Sequence, residues 1–229
     1  MAASNYSTRA NYRRNGRSTP VALRQLLLVC GILASLLYIS MDVSAALFFY
    51  PGYDYTSQQV SELSAIGAPS RAFWLAVSPA YVALNVFFGL GVVWSSGGKW
   101  SLRIAGVLIV AFALLGLFWP PMHPRGSEML QDDMMHIVFA AGAVVLMLLF
   151  MIAGALALNR GFRIYSAITI VAMMVAGYIV SLQATAIAAG LPTPWMGLVE
   201  RVSVYGPMVW EIVFAIALLR GSDDVYPRG

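Results

Sequence analysis

An all-α, polytopic membrane protein, a six-transmembrane-helix bundle with both termini in the cytoplasm, follows from three observations. Sixty per cent of the residues are apolar and ten per cent charged, where soluble domains average about a quarter charged. The apolar excess is gathered into six runs, each close to the roughly 20 residues that cross a bilayer core. Lysine and arginine alternate between rich and poor from one polar connection to the next, as they do when basic residues mark the cytoplasmic side.

Residues 1–20 hold Arg9, Arg13, Arg14 and Arg17 among Ser, Asn and Thr. They lack apolar periodicity and read as a disordered basic cytoplasmic tail. The first apolar run, 21–49, is too long for a signal-peptide core and has no small-residue cleavage site after it, so it reads as a retained signal anchor. Further spans are expected over 73–95, 101–119, 134–158, 164–188 and 202–219. Together they make a transmembrane domain over 21–220, followed by a cytoplasmic tail, 221–229. The last run is the shortest and contains Gly206 and Pro207, which predicts a kink or a tilt mismatch. The tail, the Lys99/Arg103 turn, the Arg160/Arg163 turn and the Arg220/Arg228 end are basic, whereas the intervening loops hold Arg71, Arg125 and Arg201. The expected location is therefore the cytoplasmic (inner) membrane, multi-pass, with membrane lipids as partners. The net charge of +4 follows this topology and forms no nucleic-acid patch. Trp74, Trp94, Trp100, Trp119 and Trp195, with Tyr50 and Tyr53, fall near span ends as an aromatic belt does. Cys30, the single cysteine, cannot form an internal disulfide and reads as a small packing residue.

Two outer loops have structure of their own. In 50–71, Thr56 and Gln59 resemble a capping box, and Gly67 with Pro69 is a stop signal. Between them Val60, Leu63 and Ile66 share one face, with Gln58 and Glu62 opposite. That pattern predicts a short helix lying in the outer interface, as a cover for the bundle end or a lid. In 119–145, Pro120 and Pro121 stop the preceding run. Glu128, Asp132 and Asp133 then stand where a helix dipole favours negative charge, and both histidines, His123 and His136, lie in this stretch.

Polar residues recur at helical spacing within the spans: Ser35, Tyr38 and Asp42; Ser78, Tyr81 and Asn85; Tyr178, Ser181 and Thr185; Glu200, Ser203, Pro207 and Glu211. Interhelical hydrogen bonding explains the Ser, Tyr and Asn positions. Asp42 and Glu211 need more, because a carboxylate inside a span costs a few kcal/mol unless protonated or paired. Arg201, His136 or each other are the candidate partners, and an ion pair that fixes helix register is the structural alternative. Apart from Asp223 and Asp224, every acidic residue and both histidines fall in the outer half. This predicts an outward polar cavity lined by spans one, four, five and six, which binds a small-molecule or lipid ligand through Asp42, Glu62, His136, Glu200, Arg201 and Glu211. Arg201 would meet an anion or carboxylate, His136 would carry a proton, and Asp42 and Glu211 would titrate as a pair. That reading requires no cofactor.

Two alternatives belong to other classes. Asp132 or Asp133 with His136 makes an i, i+4 or i, i+3 pair, and His123 could fold over it, which would suit Zn²⁺ in a metal-assisted lipid hydrolase. No HExxH motif or Cys cluster accompanies these residues, and a helix N-terminus with a hydrogen-bonded His accounts for them equally. The other alternative is a structural subunit of a membrane complex. A GxSxG elbow and phosphate-binding glycine loops are missing from the sequence. Proton-coupled transport stays open, since intramembrane Asp, Glu and His are the usual relay residues, but six spans without an evident internal repeat offer no clear alternating-access machinery.

The order of features is YPGYDYTSQQVSELSAIGAPSR after span one, a proline-rich turn leading to an acid-then-His helix start, and GLVERVSVYGPMVWE entering span six. It resembles the bacterial and archaeal membrane family known as domain of unknown function 998, over about 23–219. The resemblance implies a compact six-helix bundle in the cytoplasmic membrane, with 61–67, His136 and Glu200 with Arg201 as family-like positions, and it carries no assigned activity. A more distant similarity is to membrane hydrolases related to alkaline ceramidases and adiponectin receptors. That similarity implies seven spans and a zinc on three histidines, where this chain has six spans and two histidines.

Overall fold

In a bilayer no water satisfies backbone N–H and C=O groups, so long apolar runs fold as helices that satisfy their own. The computed structural model describes residues 4–128 and 130–225, with side chains over 21–128 and 130–221. Its helices are α1 (Ser4–Ser44), α2 (Arg71–Trp94), α3 (Trp100–Leu115), α4 (Gln131–Ala157), α5 (Arg160–Ser181), the short α6 (Ala184–Ala188) and α7 (Met196–Val225). Six are long and apolar enough to cross a membrane, which is the expected bundle.

Four boundaries differ from expectation. Helical backbone in α1 reaches back to Ser4, through much of the segment read as a disordered tail; once the apolar part is helical, added turns need no new nucleus. At the other end α7 runs into the second expected tail, to Val225. Residues 1–3 and 226–229 of those tails lie outside the described residues. Span five stops at Ser181 rather than 188, because 22 residues already rise about 33 Å, enough for a core of about 30 Å. Span six starts at Met196 and passes through Pro207. Its 26-residue membrane portion, Met196–Gly221, removes the expected length mismatch.

Helices α1 to α4 pack in chain order, α7 lies against α1 and α5, and α4 meets α5 to close the ring. The centre is aromatic. Trp210, Phe88, Phe150 and Phe214 are fully buried. Trp210 stacks on Phe214 at 4.7 Å between ring centroids, and Phe88 meets Phe214 edge-on at 6.2 Å. The Trp210 indole N–H donates to Ser166 Oγ at 2.8 Å, so this ring is buried without an orphaned donor.

Where α2 crosses α3, the backbones touch. A Cβ on Gly89 would sit 2.7 Å from the Gly106 carbonyl oxygen, and one on Gly106 would sit 2.6 Å from that of Gly89. Small residues permit this approach where apolar burial alone gives helices little reason to associate. Gly106→Ala is expected to push the helices apart at a cost of about 1 kcal/mol. Thermal unfolding in detergent should show a lower midpoint, whereas Gly177→Ala, where a Cβ meets nothing within 4 Å, should leave the midpoint equal or higher, since alanine suits a helix interior better than glycine.

Candidate functional site

Three connections meet at one end of the bundle: 50–70, 116–130 and 182–195. Ile66 N–H donates to Met122 O at 2.8 Å, Gly126 N–H to Ile187 O at 3.2 Å, and Leu198 N–H to Thr56 O at 3.3 Å. The first connection opens on Asp54, whose carboxylate accepts from the Ser57 hydroxyl at 2.6 Å and from the Thr56 hydroxyl and N–H at 2.6 and 2.9 Å. These donors, Ser57 first, hold the Asp54 carboxyl down at about 2. This is an Asx-type turn, made where Asp bonds backbone two residues on.

Next comes a single 3-10 turn, Val60–Ser64, in place of the amphipathic helix the spacing predicts. Gln59 N–H donates to Glu62 Oε1 at 2.9 Å, so the capping pair is Gln59 with Glu62 and not Thr56 with Gln59. Val60 and Leu63 are buried as expected, but Glu62 is buried too, at 4 % exposure. It turns inward because Arg125 waits there, donating from Nη2 at 2.7 Å. Arg125 also donates to Thr193 Oγ1 at 2.6 Å, to Leu191 O at 3.3 Å and to Ser57 O at 3.3 Å. One guanidinium therefore ties all three connections together.

Beneath this cap lies a second, drier ion pair. Asp42 is 0 % exposed and Arg201 4 %. Arg201 Nε donates to Asp42 Oδ2 at 2.8 Å and Nη2 to Oδ1 at 2.9 Å, the two-pronged geometry that suits guanidinium to carboxylate. Nη2 also reaches the Tyr53 hydroxyl at 3.0 Å, and Nη1 the carbonyls of Tyr55 and Gly197, each at 3.0 Å. The guanidinium lies 3.5 Å from the centroid of the Tyr55 ring, close enough for cation–π attraction. The remaining capacity of Asp42 is met by the hydroxyls of Tyr205 and Tyr55, the latter at 3.3 Å. Tyr53 accepts from Arg201 while donating to Gln59 O at 2.8 Å. Burial pushes its phenol above the ordinary tyrosine range, so it stays neutral and can do both. Gly197 makes the docking possible, since a Cβ there would stand 2.6 Å from Tyr55 O.

Of the residues predicted from sequence, Asp42, Glu62, Glu200 and Arg201 come together at this end. Glu200 Oε2 accepts from Val60 N–H at 2.6 Å, which seats the 3-10 turn on α7. Arg201 meets a carboxylate, one of the two roles expected of it. The other role, holding an external anion, is closed: its five N–H groups are all engaged. Glu211 lies deeper and does not pair with Asp42; its Oε2 accepts from Ser35 Oγ at 3.3 Å. His136 is not in the cluster either. Its Nδ1 sits 2.9 Å from Pro120 O and its ring edge-on to Trp119 at 5.4 Å, so it fastens the proline turn to α4.

The expected metal set divides in the same way. His123 Nδ1 lies 3.0 Å from Asp133 Oδ2, and Asp133 also accepts from the N–H groups of His123 at 2.7 Å and Leu130 at 3.0 Å. That makes Asp133 the N-terminal capping acid of α4. Asp132 is exposed, and among the described residues no three His, Cys, Asp or Glu side chains converge to hold a metal.

The expected lining of spans one, four, five and six needs correction. Tyr178 of span five is 65 % exposed, with Ser181 and Thr185 exposed as well, as suits an interfacial tyrosine. The polar side chains meet instead on α1, α2 and α7. A recess of about 730 Å³ lies at the opposite turns, around Lys99, Trp100 and Arg163, and an apolar one of about 660 Å³ runs between α5 and the start of α7, along Ile168, Val175 and Val202.

Sequence marks Tyr53 only as an interfacial aromatic and Arg125 only as a loop charge, and gives Tyr55 and Tyr205 no role. Tyr205 carried a usable signal, one helical turn beyond Arg201 on the same face. Tyr53 and Tyr55 flank Asp54 in the loop that follows the Asp42 helix, and nothing in their spacing marks which way they fold.

No curated protein and no solved structure matches the chain. A match to the family described as "Protein of unknown function (DUF998)" extends over residues 13–217, taking in all six spans apart from the last few residues of α7 and the whole loop-rich end, and the chain therefore belongs to that family.

Proposed function

We propose that the loop-rich end faces out of the cytoplasmic membrane and binds a small donor-bearing ligand or lipid headgroup, a primary ammonium group in particular. The concentration of Lys99, Arg103, Arg160 and Arg163 at the opposite turns supports this orientation by the positive-inside rule. The observation that carries the ligand chemistry is a charge imbalance. Asp42, Glu62 and Glu200 stand against Arg125 and Arg201, and each guanidinium is matched to one carboxylate. Glu200 is the carboxylate left over, held by the N–H of Val60. Asp54, Glu128 and Asp132, all exposed at the same end, add a field that gathers cations and repels anions. Tyrosine faces beside the cluster suit an ammonium group as well.

The test is thermal unfolding of the detergent-solubilised protein with ethanolamine or O-phosphoethanolamine. Both are expected to raise the midpoint; a ligand at 100 times its Kd stabilises by about 2.7 kcal/mol. Inorganic phosphate should not, and Glu200→Gln should abolish the gain. Unchanged melting with both amines would refute the reading. The full engagement of Arg201 and the bonding of both Nη groups of Arg125 within the cap favour a second one, a structural subunit of a membrane complex. It gains if Glu200→Gln changes only which proteins co-purify.

A further inference from the structure

Deep in the bundle, away from the loop-rich end, two buried oxygen acceptors lack a donor. Asn85 on α2 uses its Nδ2 on the Tyr81 carbonyl at 3.1 Å, and its Oδ1 is buried without a partner. Glu211 on α7 receives Ser35 Oγ on one oxygen, while Oε1 is buried without a partner. Asn85 and Ser35 are 0 % and Glu211 1 % exposed.

The packing on either side sets these three residues in one layer. On one side Phe88 lies against Phe214 and fills the space where Gly31 would carry a Cβ, 2.6 Å from that position. On the other side the Tyr81 hydroxyl reaches Met208 Sδ at 3.8 Å, and its ring lies 5.0 Å from that of Tyr38. Asn85 falls between Tyr81 and Phe88 on α2, Glu211 between Met208 and Phe214 on α7, and Ser35 between Gly31 and Tyr38 on α1. Tyr81 is also within electrostatic reach of Glu211 and beside Asn85. The groups facing the layer are thus Ser35 and Tyr38 from α1, Tyr81 and Asn85 from α2, and Met208 from α7. The two cations on α7 nearest Glu211 are both distant: Arg220 lies nine residues or about 14 Å along the helix and is exposed, and Arg201 lies ten residues or about 15 Å away and is committed to Asp42.

We propose that Glu211, Asn85, Ser35 and Tyr81 form a site for one monovalent positive charge, a proton or a sodium-sized ion, inside the bundle. Two oxygen acceptors left without donors in one dry layer carry a heavy penalty until something donates to them. A proton on Glu211 turns that oxygen into a donor toward Asn85 Oδ1 and removes the buried negative charge in the same step. A sodium-sized ion would instead be held by the carboxylate, the amide oxygen and the two hydroxyls, an all-oxygen set of the kind hard cations take. The site is independent of ligand binding at the loop-rich end, and its test uses neither amine probe.

The experiment uses the full chain in lipid nanodiscs, with infrared difference spectra across a pH titration and ²²Na⁺ binding in parallel. With a proton as occupant, the carbonyl stretch of a protonated carboxylic acid persists at neutral pH, is insensitive to sodium, and is missing from Glu211→Gln. That variant should fold, because its amide offers Asn85 a permanent donor. With a sodium-sized ion as occupant, one ²²Na⁺ binds per protein, is displaced by acid, and is lost in Glu211→Gln. A wild type with neither the acid band nor bound sodium overturns the proposal. If Glu211→Gln fails to fold, Asn85→Ala decides: the acid band shifts, or sodium binding weakens at least tenfold. An unmoved band with unmoved binding also overturns it.

Discussion

Arg201→Met is expected to destabilise the protein by about 3–5 kcal/mol, the cost of leaving one member of a buried ion pair without its partner. The size follows from where Asp42 is left. It has no solvent exposure, and after the substitution only the hydroxyls of Tyr55 and Tyr205 would face it; neither carries charge. The same change removes the donors that hold Tyr53 and the carbonyls of Tyr55 and Gly197, so the first connection loses its seat on α7. Arg201→Lys should restore little, since an ammonium group cannot supply the fork or the stacking on Tyr55. Asp42→Asn combined with Arg201→Met should recover much of the loss, because the uncompensated charge goes with it. Unfolding in mixed micelles, with single and double variants compared as a cycle, measures this directly. A single variant as stable as wild type would mean that water reaches Asp42 in the native protein.

The bundle was readable from sequence because its causes are repetitive. Six apolar runs and a charge alternation each report the membrane many times over, so an error at one residue changes nothing. Asp42 and Arg201 were readable for a related reason: a charge inside a span has few acceptable solutions, and pairing is one of them. The loop-rich end was harder because each contact there is made once, between residues far apart in the chain. Glu62 looked like the wet face of an amphipathic helix until Arg125, 63 residues away, supplied a reason to turn it inward. His136 and Glu211 were drawn into one cavity by chemistry alone. Separate partners, the Pro120 carbonyl for one and Ser35 of α1 for the other, hold them apart. Spacing could not distinguish these outcomes, because it reports which face of a helix a residue lies on and not which neighbour that face meets.

Arg125→Met is expected to cost less than Arg201→Met, about 2–3 kcal/mol, and to show it in a different place. Arg125 is 17 % exposed at its side chain, so water can enter where the guanidinium was and solvate part of Glu62. Glu62 also keeps the Gln59 N–H and the Gln58 Nε2 donors. What cannot be replaced by water is the geometry, because the same side chain bonds Ser57, Leu191, Thr193 and Glu62, and these belong to two connections besides its own. The membrane helices should therefore stay folded while the cap opens, a local transition of the kind hydrogen exchange resolves. Amides around 54–66 and 187–195 should lose protection together in Arg125→Met, and adding Glu62→Gln should return part of it by removing the stranded charge. Loss confined to 121–127 would show that the three connections are held by their backbone bonds alone. Joint loss would show that they move as one unit, and any ligand held by Glu200 would then depend on a residue that never touches it.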